Sequence, residues 1–204
     1  MNVMKKLWII LIMYFLGADY FYGQAALEPF NSISATGDFQ LILRQGKEHN
    51  FRIEGHKKGH VEVVQSGATL SISQQQGSKS SVNVKVFVTF KSISSLELNG
   101  DLDVSSENPI NVEALDISLA GSGYASLGLN ADKVNVSVSG SGTLELEGKA
   151  SSLKASVAGS GEIEAFDLIA EVVDAKVYGS GDCEVFVAED LKAKVSGSGD
   201  IVYK

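Results

Sequence analysis

Through the second half of the chain, apolar and polar residues alternate strictly. Leu115-Asp116-Ile117-Ser118-Leu119 is followed by Val134-Asn135-Val136-Ser137-Val138 and Leu153-Lys154-Ala155-Ser156-Val157. Val173-Asp174-Ala175-Lys176-Val177 and Leu191-Lys192-Ala193-Lys194-Val195 complete the set. A period of two is the strand signature, because successive side chains point to opposite faces. Each segment runs into the same triplet, Gly-Ser-Gly, beginning at Gly121, Gly140, Gly159, Gly179 and Gly197. From one first glycine to the next the steps are 19, 19, 20 and 18 residues. Alternation resumes after each triplet, as in Leu144-Glu145-Leu146 and Ile163-Glu164-Ala165. Glycine accepts backbone angles that other residues avoid, so the triplet marks a corner between strands.

Antiparallel hairpins would also alternate strands and glycine turns. Here like follows like at every register about every 19 residues, which suits coils stacked on one another. A coil of that length has about 60 Å of extended chain, at about 3.3 Å per residue. It closes into a rounded triangle filled by its own side chains. The expected fold is therefore all-β, a right-handed parallel β-helix over residues 100–204. Its interior is Leu, Val, Ile and Ala, with Ala155, Ala175 and Ala193 sharing one tight register.

The first half reads as strands leading into that solenoid. Candidates are 39–44, 50–54, 61–65, 69–73, 82–90 and 96–98, separated by Gly46, Gly55, Gly59, Gly67 and Gly77. Asn99-Gly100-Asp101 reads as a worn corner, with Gly100 in the place of the second glycine. At the start, Lys5 and Lys6 precede the apolar run from Leu7 to Ala18, with small residues around Gly23 to Ala26. This is the layout of a secretory signal over residues 1–25, too short to span a bilayer. The expected domains are thus the signal, a strand region over 26–99, and the repeat β-helix.

Charge and composition narrow the chemistry. The formal net charge of the 204-residue chain is -8, with no basic patch bearing aromatics, so nucleic acid is excluded as a partner. No triplet extends to G-x-G-x-x-G or leads into a helix, which removes a phosphate loop. No G-x-S-x-G elbow exists and no histidine lies in the repeats, which removes a serine hydrolase there. His56-Lys57-Lys58-Gly59-His60 reads as a solvated turn, since a spacing of four pairs metal ligands only on a helix. Cys183 is the single cysteine and sits at the inward register of Leu144 and Ile163, a structural thiol.

The outward columns carry the remaining candidates. Counted from the second glycine of each corner, one column holds Asp103, Ser126, Glu145, Glu164, Glu184 and Val202. Its neighbour holds Asp101, Tyr124, Thr143, Glu162, Asp182 and Asp200. Stacked strands lie about 4.8 Å apart, so like charges there repel by about 0.9 kcal/mol in bulk water. Two readings follow: a solvated acidic face, or a weak Ca²⁺ site of Glu145, Glu164, Glu184, Glu162, Asp182 and Asp200. On the face before the corner, Asp116, Asn135, Lys154, Asp174 and Lys192 form one column, beside Ser118, Ser137, Ser156, Lys176 and Lys194. That arrangement reads as cross-strand charge matching.

The signal-like start, the Phe30–Ser34 opening, the glycine-punctuated strands and the repeated Gly-Ser-Gly resemble the head GIN-domain family of auto-transporter adhesins. The resemblance covers about residues 28–204. It implies a β-helical domain of the cell surface or envelope of Gram-negative bacteria, and it brings no catalytic residues and no agreed ligand. The expected function is a secreted, non-enzymatic adhesin or scaffold, exported to the periplasm, the outer surface or beyond. Its partner would be a glycan or a surface protein, and no cofactor is implied beyond the weak Ca²⁺ site. A polysaccharide-active β-helix enzyme is the rival, although short coils leave little chain to build a catalytic groove. A structural homo-oligomer is the third reading, because the last coil has no evident cap.

Overall fold

The computed structural model describes residues 9–10, 20–56, 61–74 and 84–204. Among them every regular element is a strand. The N-terminal elements are β1 (Ile9–Ile10), β2 (Tyr20–Ala26), β3 (Ser32–Gly37), β4 (Gln40–Gln45), β5 (Asn50–His56), β6 (Val61–Ser66), β7 (Thr69–Gln74) and β8 (Lys85–Phe90). Two short strands follow, β9 (Ser95–Gly100) and β10 (Asp103–Ser106). Then come four longer strands that wind round the coils, β11 (Ile110–Gly121), β12 (Tyr124–Gly140), β13 (Thr143–Gly159) and β14 (Glu162–Gly179). β15 (Asp182–Gly197) and β16 (Ile201–Tyr203) close the chain.

β11 to β15 pair in sequence, each parallel to the next. The register is the one the repeat predicts: Leu115, Val134, Leu153, Val173 and Leu191 stand in one column. The fold is thus a β-solenoid of parallel coils, not a set of hairpins. Inward positions are closed to solvent almost without exception, from Leu119, Val138, Val157 and Val177 to Leu144, Ile163 and Cys183. They form one continuous core from Phe30 to Val185.

The solenoid extends well into the first half. β3 lies parallel to β9 and β4 parallel to β10, so Gly37 stacks on Gly100 and Gly100 on Gly121. Between β4 and β9 the chain leaves the coil to build an end layer. β7 and β8 add parallel strands to β3 and β4, and β6 and β5 then pair antiparallel on β7 and β8. β2 pairs antiparallel with β5, and β1 with β6. The repeat-only boundary at residue 100 is crossed by continuous pairing, because the 26–99 region supplies both a first coil and its cover.

The corners explain why the triplet repeats. The first glycines, Gly100 to Gly197, all have positive φ, between 104° and 148°, where only glycine is comfortable. The next residue then donates its N–H one coil back: Ser141 to Gly121, Ser160 to Gly140 and Ser198 to Gly179, each at 2.8 Å. The second glycines leave room for the same approach. A Cβ on Gly161 would stand 2.6 Å from the carbonyl oxygen of Gly142.

Three expectations need correction. Gly100 occupies the place of the first glycine, since it pairs with Gly121, and Leu102 stands where the second glycine would be. A lone glycine in a corner is ambiguous by two residues in sequence, and the positive φ of 104° decides it. Ala193 keeps its register opposite Ala175 but is exposed. Inward side chains are covered by the coils on either side, and among the described residues the side of β15 away from β14 meets only β16 and the residues flanking it. Of the strand expected over 82–90, residues 82–83 lie outside the described residues, Val84 is not in a strand, and the strand is Lys85–Phe90. Residues 57–60 of the histidine turn, and most of the signal-like segment, lie outside the described residues.

Candidate functional site

The face before the corners carries a shallow groove of about 440 Å³. Its floor is the paired outward columns. Asp116, Asn135, Lys154 and Asp174 stand in register, and beside them Glu97, Ser118, Ser137, Ser156 and Lys176. The serines are short, so the groove deepens along their column while longer side chains stand at its edges. Asn135 donates from Nδ2 to Asp116 Oδ1 at 2.6 Å. Lys176 Nζ meets Asp174 Oδ2 at 3.0 Å. Asp174 Oδ1 is buried and has no hydrogen-bond partner.

The ion pair corrects the charge-matching reading. Asp174 lies in register between Lys154 and Lys192, yet it pairs with Lys176, two residues on in its own strand. Both members of that pair reach along the same face of β14, so a short carboxylate needs no rearrangement across strands. The groove as a binding surface was not foreseen. Its one signal in the sequence is a column of serines bordered by charged residues of both signs.

The second candidate is the acidic strip past the corners. Glu145, Glu164 and Glu184 do stack in register, and Glu162 stands opposite Asp182. Asp200 donates its backbone N–H to Asp182 Oδ1 at 2.9 Å. With Gly100 reassigned, Asp103 joins Tyr124, Thr143 and Glu162 rather than the Glu145 column, where Ser105 stands instead. Burial first, and then the charges of Glu162, Glu145 and Glu184, push the Glu164 carboxyl above its usual range. Tyr124 donates its hydroxyl to Glu145 Oε2, and that hydrogen bond, followed by burial, raises the phenol. Among the described residues, no group of three or more His, Cys, Asp or Glu side chains is arranged to hold a metal ion. Carboxylates in straight columns do not converge on one point.

At the other end of this sheet face a groove of about 350 Å³ holds both arginines of the chain. Arg52 lies over the Phe87 ring at 4.1 Å and pairs with Glu54 at 2.6 Å. Arg44 stands 3.8 Å from Glu107, both exposed. Each guanidinium is thus already faced by a carboxylate. Cys183 is fully buried, and burial, then Glu184, pushes its thiol up to about 12. At neutral pH it is an inert core side chain. His49 packs edge-on against Phe30 at 4.7 Å, and burial, then Lys91, lowers its pKa.

The family described as "Putative auto-transporter adhesin, head GIN domain" matches residues 29–204. The chain belongs to this family. Three solved structures share the fold of this head GIN domain. A "putative adhesin" from Bacteroides fragilis is 22% identical, with a TM-score of 0.78, covering 92% of this chain and 98% of its own. A "putative lipid binding protein" from Parabacteroides distasonis is 18% identical, with a TM-score of 0.65, covering 91% and 97%. A "putative adhesin" from Parabacteroides merdae is 18% identical, with a TM-score of 0.63, covering 91% and 96%. At such identities the likeness concerns the fold. No curated protein sequence matches the chain.

Proposed function

We propose that this head GIN domain is an exported, non-enzymatic binding domain of the cell envelope, whose groove, with polar side chains set along an apolar floor, takes a carbohydrate. The observation that carries the reading is the groove floor. It presents acceptors, donors and hydroxyls in register from Glu97 and Ser118 to Asp174 and Lys176. Across β9 and β11 to β14 these repeat at about 4.8 Å intervals, so the pattern runs for about 19 Å along the stack. An extended polysaccharide offers hydroxyls of both polarities at regular spacing, and the serine hydroxyls can donate or accept as needed. Asp174 Oδ1, buried and unpartnered, gains most from a sugar hydroxyl, because a desolvated acceptor left unpaired is costly.

Binding fits the groove better than catalysis. It is lined by no histidine or cysteine, and its Asp116 and Asp174 are engaged by Asn135 and Lys176. The family name supports adhesion and an exported location.

The test is binding of the intact chain to an array of neutral and acidic polysaccharides, with phospholipid vesicles as a separate arm. Retention of a polysaccharide, weakened at least about tenfold by Asp174→Ala or by filling the groove with Ser137→Tyr, is expected. Sugar binding that survives both variants would move the site elsewhere. Vesicle binding with no sugar binding would replace the carbohydrate by a lipid.

A further inference from the structure

Charge is distributed unequally along the groove. The outward pairs begin with Ser95 and Glu97 on β9, Asp116 and Ser118 on β11, and Asn135 and Ser137 on β12. Lys154 and Ser156 follow on β13, Asp174 and Lys176 on β14, and Lys192 and Lys194 on β15. One end therefore carries Glu97 and Asp116 and no cation. The other carries four lysines and one carboxylate, in a chain whose formal net charge is -8.

The basic end is not internally balanced. Asp174 stands in register between Lys154 and Lys192, and its Oδ2 accepts from Lys176 Nζ at 3.0 Å. Lys154 and Lys192 make no ion pair among the described residues. Asp174 Oδ1 is buried and lacks a donor. Two surplus ammonium groups and one unanswered acceptor thus lie on three adjacent coils. The backbones of Lys154 and Lys192 are about 10 Å apart, two strand spacings. Their flexible four-carbon stems reach the Asp174 coil from either side.

Resting on the carbohydrate reading of the groove, we propose that this end is a subsite for a uronic acid. The sugar carboxylate lies against Lys154 and Lys192, and a ring hydroxyl donates to Asp174 Oδ1. A uronic acid brings both functions on one ring. A neutral sugar leaves the surplus cations unanswered, and a ligand without hydroxyls offers Asp174 no donor. The carboxylates nearby limit how many acidic groups fit. Glu113, Asp132, Glu171 and Glu189 are exposed three residues before the Asp116, Asn135, Asp174 and Lys192 positions. A polyanion meets these groups, Asp116 and Glu97 along its whole length. A single terminal uronic acid, followed by neutral sugars over Ser137 and Ser118, does not. The groove is thereby given a direction, acidic sugar toward β15.

The test uses cello- and xylo-oligosaccharides capped with one terminal glucuronate, each against its counterpart with that carboxyl reduced to the alcohol. Binding to the intact chain is followed by titration calorimetry. The glucuronate form should bind at least about tenfold more tightly at low salt, and the ratio should shrink as sodium chloride is raised. Lys154→Gln combined with Lys192→Gln should bring the ratio close to one. Lys149→Gln, exposed on β13 outside the groove, should leave it unchanged. Circular dichroism on each variant confirms that the strands are intact. Equal binding of the two forms, tighter binding of the reduced form, or a preference that outlives the double change would overturn the uronic acid subsite and leave the carbohydrate reading standing. Binding of neither form would overturn it too, and a blank polysaccharide array would then remove the carbohydrate reading as well.

Discussion

The hydroxyl of Tyr124 donates to Glu145 Oε2 across one coil, and Glu164 stands directly opposite Glu145 in the next. The strip is therefore relieved at its Tyr124 end and strained in the middle. Glu164 has its pKa raised by burial and by three flanking carboxylates. A folded pKa above the unfolded one means that the folded state holds the proton more tightly. The contribution is full below the ordinary carboxylate value and is lost as pH rises through the raised value. Glu164→Gln should stabilise the fold at pH 7 by up to about 0.5 kcal/mol, since the side chain is largely solvated. At pH 3 the difference should vanish. Calorimetric melts at both values check the sign.

The calcium reading of the strip has its own test. Ca²⁺ held by the folded strip alone would add about 1.4 kcal/mol at a free concentration ten times its dissociation constant. Screening predicts equal shifts for calcium and sodium at matched ionic strength. Equal shifts are expected, because the carboxylates run in columns and do not converge. An excess with calcium, abolished by Glu164→Gln, would establish a site.

Corner glycines and loop glycines should separate cleanly. Gly159→Ala places a Cβ at φ 117° and 2.6 Å from the Gly140 carbonyl oxygen. It should cost more than about 2 kcal/mol in urea melts. Gly67→Ala, at φ 60° with nothing within 4 Å, should cost only about 1 kcal/mol.

Ala175 and Ala193 share a register but not an environment. Ala175→Leu should destabilise by about 1–3 kcal/mol through overpacking. Ala193→Leu should change stability by under about 0.5 kcal/mol. Equal effects would mean that the last coil is closed.

Cys183 is buried with its thiol pushed up to about 12. A thiol reagent at pH 8 should leave the native chain untouched and modify one site per chain after denaturation. Its rate in native conditions then reports opening of the coil.

Much of this architecture is legible because stacking turns sequence period into spatial neighbourhood. The residues at one register, such as Leu115, Val134 and Leu153, are similar because they touch. Legibility fails where the period breaks. Gly100 is alone in its corner, so sequence could not place it. Ala193 resembles Ala175 in its own segment, and its exposure depends on what lies beyond β15. Within the end layer β5 pairs antiparallel with β8 and β6 with β7, which no period announces. The carboxylate columns were readable as columns, but the partner of Asp174 depends on side-chain reach along one strand, not on register.

The hydrogen-bonded glycine corners give the molecule a thread with a fixed pitch. Duplicating or deleting one unit of about 19 residues would advance every outward column by one step of about 4.8 Å and leave each face aligned. Reach along the stack can therefore change by whole coils, while the chemistry offered at each step stays the same.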